Sequence, residues 1–125
     1  MEIEQNYVLA LSVRGGLYND LKEYDHALCD VNKALEIEPN NVYASFVRGL
    51  IYCNLAQYDN SLSDLNKALE IEPSNEYALK NRGETYYMLK QYDDALIDLN
   101  KSLEIDPDYV DALTMRGNVY LDLKQ

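Results

Sequence analysis

The chain has 125 residues, 47% of them hydrophobic and 26% charged, with a formal net charge of −11. That balance suits one folded domain rather than a disordered chain, and no apolar run is long enough to cross a bilayer. Its eleven Lys and Arg are scattered singly, which argues against nucleic acid, and the acidic surface should repel anionic membranes. Met1-Glu2-Ile3-Glu4 has neither the basic region nor the apolar stretch of a secretory leader. Cys29 and Cys53 stand in unrelated contexts, so a reducing compartment is expected, by default the cytoplasm.

In chain order, apolar residues at three- and four-residue spacing predict seven helices in antiparallel pairs. Asn6 is placed to cap the first. A second helix, with Asp25 in its first turn, stops near Ile37 because Pro39 cannot continue it. Asn40 is expected to cap a third helix, Val42 to Leu55, with Val47, Ile51 and Leu55 on one stripe. After the turn Ala56-Gln57, the fourth runs from Tyr58 to Ile71 with Asp59 in its first turn. Ser74 should cap the fifth, Asp93 opens the sixth, which stops near Ile105, and Asp108 should cap the seventh, Val110 to Lys124.

The pairs are repeats. Gly15, Gly49, Gly83 and Gly117 lie 34 residues apart, as do Pro39, Pro73 and Pro107, and Tyr18, Tyr52, Tyr86 and Tyr120. VNKALEIEP from Val31 returns as LNKALEIEP from Leu65 and LNKSLEIDP from Leu99. Each unit must offer its neighbour the same surface, so the phrase specifies a scaffold, and function must lie where the units differ. Gly and a small residue opposite it (Ala27, Ser61, Ala95) should let the helices of a pair approach, while Leu-Ala-Leu of LNKAL should pack on the next pair.

These residues resemble the tetratricopeptide repeat family, whose unit has this period and these small and aromatic residues. Ala27, Ala95, Ala34 and Ala68 match its alanines. Ser61 and Ser102 depart from them, and Leu11, Ser45, Leu79 and Leu113 stand where the family often has tryptophan. The resemblance implies an all-α, right-handed superhelical solenoid, three full repeats plus one extra helix. It would form a single domain over 1–125, with repeats at about 8–41, 42–75 and 76–109 and a partial one at 110–125.

Nothing in the sequence favours catalysis or a cofactor. His26 is the sole histidine and stands at a turn; no Cys/His group has metal-ligand spacing; the glycines are single and mid-helix rather than in a phosphate loop. A more informative regularity is Arg14, Arg48, Arg82 and Arg116, each just before its glycine, with Asp30, Asp64 and Asp98 one helix away. They are expected to form structural ion pairs, within a unit or between neighbours, with the arginines partly buried. On that reading, Asp64→Ala strands a buried arginine and costs more than Arg48→Met.

The resemblance implies a peptide-binding groove lined by first helices. Its positions here include Leu9, Ser12, Val13, Gly16, Tyr43, Phe46, Val47, Leu50, Tyr77, Lys80, Asn81, Glu84, Met88 and Asn118. Some relatives clamp a C-terminal carboxylate with cations and asparagines. The corresponding residues here are Ser12, Gly16, Val47, Tyr77 and Asn81 or, one unit later, Phe46, Leu50, Asn81, Asp111 and Met115; only Asn81 of the second set matches and neither set has a cation, so no clamp is expected. The expected function is non-catalytic protein or peptide binding. The alternative is a self-associating structural module, or a fragment of a longer array with no dedicated ligand. The last helix, keeping Gly117, Tyr120 and Leu123 phased for a missing partner, is expected to pair with another copy or to stack end to end.

Overall fold

A computed structural model describes residues 2–124. Among the described residues are seven helices and no strand: α1 (Glu2–Asp20), α2 (Tyr24–Ile37), α3 (Val42–Asn54), α4 (Tyr58–Ile71), α5 (Glu76–Met88), α6 (Tyr92–Ile105) and α7 (Val110–Leu123). The protein is an all-α helical repeat. It forms two compact units, Met1–Ile71 and Glu72–Gln125. In the first, α1 packs on α2 and α3 on α4, and α3 also rests on α1 and α2; in the second, α5 packs on α6, and both meet α7.

The third, fourth and seventh helices start where expected, at Val42, Tyr58 and Val110, but the capping positions of α3, α5 and α7 lie one residue later than expected. Asn41, not Asn40, caps α3, its side-chain oxygen accepting from Ala44 N at 2.9 Å. Asn75, not Ser74, caps α5, accepting from Tyr77 N and Ala78 N. At α7 the cap position is Tyr109, which makes no side-chain capping bond, and Asp108 instead donates its N–H to Asp106 Oδ1. Asn6 lies inside α1, which begins at Glu2. The asparagine one place further on has the extended backbone a cap needs, with φ −69° and ψ 116° at Asn41.

The turn inside each pair is a repeated device. Lys22, Ala56 and Lys90 adopt φ of 63°, 59° and 61°. The next N–H reaches back to the last helical turn: Glu23 N to Tyr18 O, Gln57 N to Tyr52 O, Gln91 N to Tyr86 O. These are left-handed caps, which side chains with a Cβ enter at a cost. Ala56→Gly, and likewise Lys22→Gly and Lys90→Gly, should each raise stability by about 0.5–1 kcal/mol, after allowing for the freer unfolded chain. Urea melts that leave all three at or below wild type would contradict this account of the turn.

Close approach of the paired helices explains the glycines. A Cβ on Gly15 would lie 2.6 Å from Val31 Cγ2, on Gly49 2.8 Å from Leu65 Cγ, and on Gly83 3.0 Å from Leu99 Cγ. The first aliphatic residue of the recurrent phrase therefore fills its own pair, rather than packing on the next one. Val31, Leu65 and Leu99 are fully buried there, each removing an aliphatic side chain from water. Where serine replaces alanine the hydroxyl is satisfied: Ser61 Oγ donates to Gly49 O at 2.8 Å, and Ser102 Oγ to Glu76 O at 2.9 Å. The substitution thus buries no unpaired polar atom.

Candidate functional site

The arginine series forms forked pairs inside each repeat. Arg14 Nε and Nη2 donate to Asp30, Arg48 to Asp64 and Arg82 to Asp98, with Nε–Oδ2 distances of 2.7 Å in all three. These hydrogen bonds, and the aspartate charge with them, raise each guanidinium further above its already high value. Each guanidinium also lies over the tyrosine one turn on, 5.8–5.9 Å from the rings of Tyr18, Tyr52 and Tyr86.

Arg48 and Arg82 are partly buried, as expected, but in every pair the aspartate is the more buried partner. The aspartate side chains are 7%, 6% and 3% exposed, whereas Arg14 is 61% exposed and Arg48 and Arg82 about a quarter. The carboxylate is the group that would be stranded by losing its partner. Arg48 and Arg116 also donate Nη1 at 3.0 Å to the asparagine of the preceding helix, Asn32 and Asn100 respectively. Arg116 makes no ion pair among the described residues, because no second-helix aspartate faces it.

In the first unit, α1 and α3 touch along a line where Gly16 lies over Val47 and Asn54 Nδ2 donates to Asn19 Oδ1 at 2.9 Å. Val47 is only 2% exposed and belongs to the core cluster with Val31, Ala34 and Ile51, so it is the floor and not a groove contact. Ser12, also buried, has its hydroxyl committed to Val8 O. Phe46 is half-buried against the same cluster, and Leu50 is half-buried too. Leu9, Val13 and Tyr43 flank the line at 55%, 41% and 43% exposure. A Cβ on Gly16 would stand 4.0 Å from Val47 Cγ1, an ordinary packing distance, and none of these residues on that apolar face is charged.

The second unit presents a different face. Tyr77 and Met88 are exposed on α5, and Asn118 is exposed on α7. Lys80 pairs with Glu84 at 3.9 Å along the helix, and Asn81 donates its amide to Tyr77 O at 2.7 Å. Tyr87 donates its hydroxyl to Asp122 at 2.7 Å and ties α5 to α7; that bond raises its pKa. This contact uses the same repeat positions as Asn19 with Asn54, so the signal was present in the register but not in the residue types.

Tyr77 meets Tyr109 edge-on, ring centroids 5.5 Å apart. Burial, and then the nearby charge of Asp111, push the Tyr109 hydroxyl from its ordinary 10.0 up to about 12. Since the unfolded chain releases this proton first, stability should be complete below pH ~10 and fall as pH rises towards the folded value. A tyrosinate absorbance titration should show a late-ionising class that Tyr109→Phe removes; an unchanged titration would contradict this placement.

Comparison with known proteins agrees with the architecture. Tetratricopeptide repeat models match residues 10–41 and 76–109, and a TPR repeat model matches 49–90. No curated protein sequence matches the chain. Among solved structures, the first TPR domain of human RPAP3 superposes with a TM-score of 0.88 at 24% identity, over 94% of this chain and 93% of that one. The first TPR of Spaghetti (RPAP3) bound to an HSP90 peptide also gives 0.88 at 24%, over 96% and 95%. Pseudomonas aeruginosa pilF gives 0.88 at 23%, over 97% of this chain and 55% of that one. Repeat models spread along the chain, together with its glycine-faced helix pairs, establish that it belongs to the tetratricopeptide repeat family of protein-interaction modules.

Proposed function

We propose that the chain is a non-catalytic scaffold that binds an apolar peptide or protein segment on the α1–α3 face of the first unit. The observation that carries this reading is the exposure of Leu9, Val13 and Tyr43 along the α1–α3 contact, with Phe46 and Leu50 half-buried beside them. Apolar side chains gathered in this way favour a ligand that brings apolar anchors. We also place its action in the cytoplasm, in keeping with Cys29 and Cys53 forming no disulfide among the described residues.

The structural neighbours include TPR domains bound to chaperone C-terminal peptides, SRMEEVD of HSP90 and SGPTIEEVD of HSP70. Such acidic termini need cations, and the matching residues here are Ser12, with its hydroxyl spent, buried Val47, and uncharged Gly16, Tyr77 and Asn81. Recognition therefore runs through side chains of the segment and not through its terminal carboxylate. An immobilised peptide library probed with the protein should return apolar and aromatic sequences. Leu9→Glu or Tyr43→Glu should weaken binding by roughly tenfold or more while leaving the melting temperature unchanged. Tight binding of free-acid SRMEEVD that disappears on C-terminal amidation would overturn the proposal.

A further inference from the structure

Tyr109 breaks a rule of the repeat. Asn41 and Asn75 hold its place in the earlier units and cap the helices that follow them, whereas Tyr109 makes no side-chain capping bond. Its ring packs in part against the core of α6 and α7 and meets Tyr77 of α5 edge-on, centroids 5.5 Å apart. Leu9, Tyr43 and Tyr77 share one repeat position and are 55%, 43% and 53% exposed. Tyr77 is therefore open because of where it stands in the repeat, and not because of a chain end.

The surroundings of this ring pair are acidic. After burial, the charges of Asp111, Glu76 and Glu84 act together with Tyr77 to keep the Tyr109 hydroxyl protonated. Tyr77 also lines a hollow of about 480 Å³ with Glu72, Pro73, Ser74, Asn75 and Glu76. Of the two cations on α5, Arg82 is held by Asp98 and Lys80 lies 3.9 Å from Glu84, so both already face another acid. The carboxylates surround an aromatic surface instead of converging on a point: among the described residues, no three His, Cys, Asp or Glu come together as metal ligands.

We propose that the Tyr77–Tyr109 face docks an arginine side chain from an extended basic segment of a partner protein. The guanidinium lies against the exposed ring of Tyr77, whose π face attracts it, and its N–H groups donate to Glu76 or Asp111. Charge complementarity selects this occupant, because arginine is the side chain that stacks on a ring while donating to a carboxylate. A second copy of this chain fits poorly. Its four arginines are all engaged, Arg14, Arg48 and Arg82 with Asp30, Asp64 and Asp98, and Arg116 with Asn100. Its net charge of −11 also repels another copy. This surface belongs to the second unit and takes a ligand of different chemistry from the α1–α3 face, so either can fail without the other.

The probe is a blocked pentapeptide, acetyl-Gly-Gly-Arg-Gly-Gly-amide, titrated into the intact protein beside its citrulline counterpart, which keeps the shape and lacks the charge. The arginine peptide should saturate near ~1 mM, with NMR shift changes centred on the rings of Tyr77 and Tyr109. The citrulline peptide should bind roughly tenfold more weakly. Tyr77→Phe keeps the ring and should bind like the wild type, whereas Tyr77→Leu should weaken binding by roughly fivefold. Glu76→Gln with Asp111→Asn should weaken it by roughly tenfold, and Leu9→Glu should leave it unchanged. Tyr77 is half-exposed, so thermal melts should show Tyr77→Leu folded like the wild type. Three outcomes overturn the proposal: no saturation by about 10 mM peptide; equal binding of the arginine and citrulline peptides; or shifts that map away from Tyr77, or that calcium alone reproduces, which would make the acids a metal site.

Discussion

Arg48→Met is expected to destabilise the fold by about 3 kcal/mol, near the lower bound for breaking a buried ion pair. Its partner Asp64 is the buried member, with 6% of its side chain exposed, and the guanidinium is the cation that balances it. Asp64→Ala should cost less, about 1–2 kcal/mol, because Arg48, with 27% exposure, can turn part of its charge to water. This reverses the order that spacing alone suggests, since spacing reveals a partner but not which partner is desolvated. Arg82→Met should behave like Arg48→Met, and Asp30→Ala should be the mildest carboxylate deletion because Arg14 is 61% exposed. Urea melts measure all of these. If Arg48→Met lies within 0.5 kcal/mol of wild type (about the spread of neutral surface changes), the carboxylate has found other donors and the pairs are not structural.

The glycine series should split by sign. Gly15→Ala and Gly49→Ala place a Cβ 2.6 and 2.8 Å from branched side chains that have little room to move. Overpacking of this kind costs about 1–3 kcal/mol, against about 1 kcal/mol recovered in helix propensity, so a net loss of about 1–2 kcal/mol is expected. Gly117→Ala meets nothing within 4 Å and should gain about 0.5–1 kcal/mol from propensity alone. Thermal melts of the three Gly→Ala variants read the contrast directly. Equal effects at Gly49 and Gly117 would mean that the recurring glycine answers to something other than the facing helix.

The architecture was legible in the sequence because each repeat states it again. The 34-residue spacing of Gly, Tyr and Pro, with apolar residues at helical intervals, determined the number, order and pairing of the helices. The turn at Ala56-Gln57 and the end of α4 at Ile71 fell where expected, since proline and the break in periodicity act locally. Capping was less readable. Asn40 and Asn41 are both good caps by type, and only the backbone angles at Asn41 decide between them.

The surfaces were decided by tertiary structure. Val47 and Phe46 look like groove residues by register, yet Val47 closes the floor under Gly16 and Phe46 rests on the core. Arg14 and Arg48 are the same residue at the same repeat position, but among the described residues Arg48 has Asn32 of the preceding helix at 3.0 Å and is 27% exposed, whereas Arg14 is 61% exposed. Tyr87 and Asp122 are 35 residues apart and become partners only because α5 lies beside α7. Periodicity is a property of one helix and survives in the sequence; exposure depends on which other helix arrives, and that is settled only when the chain packs.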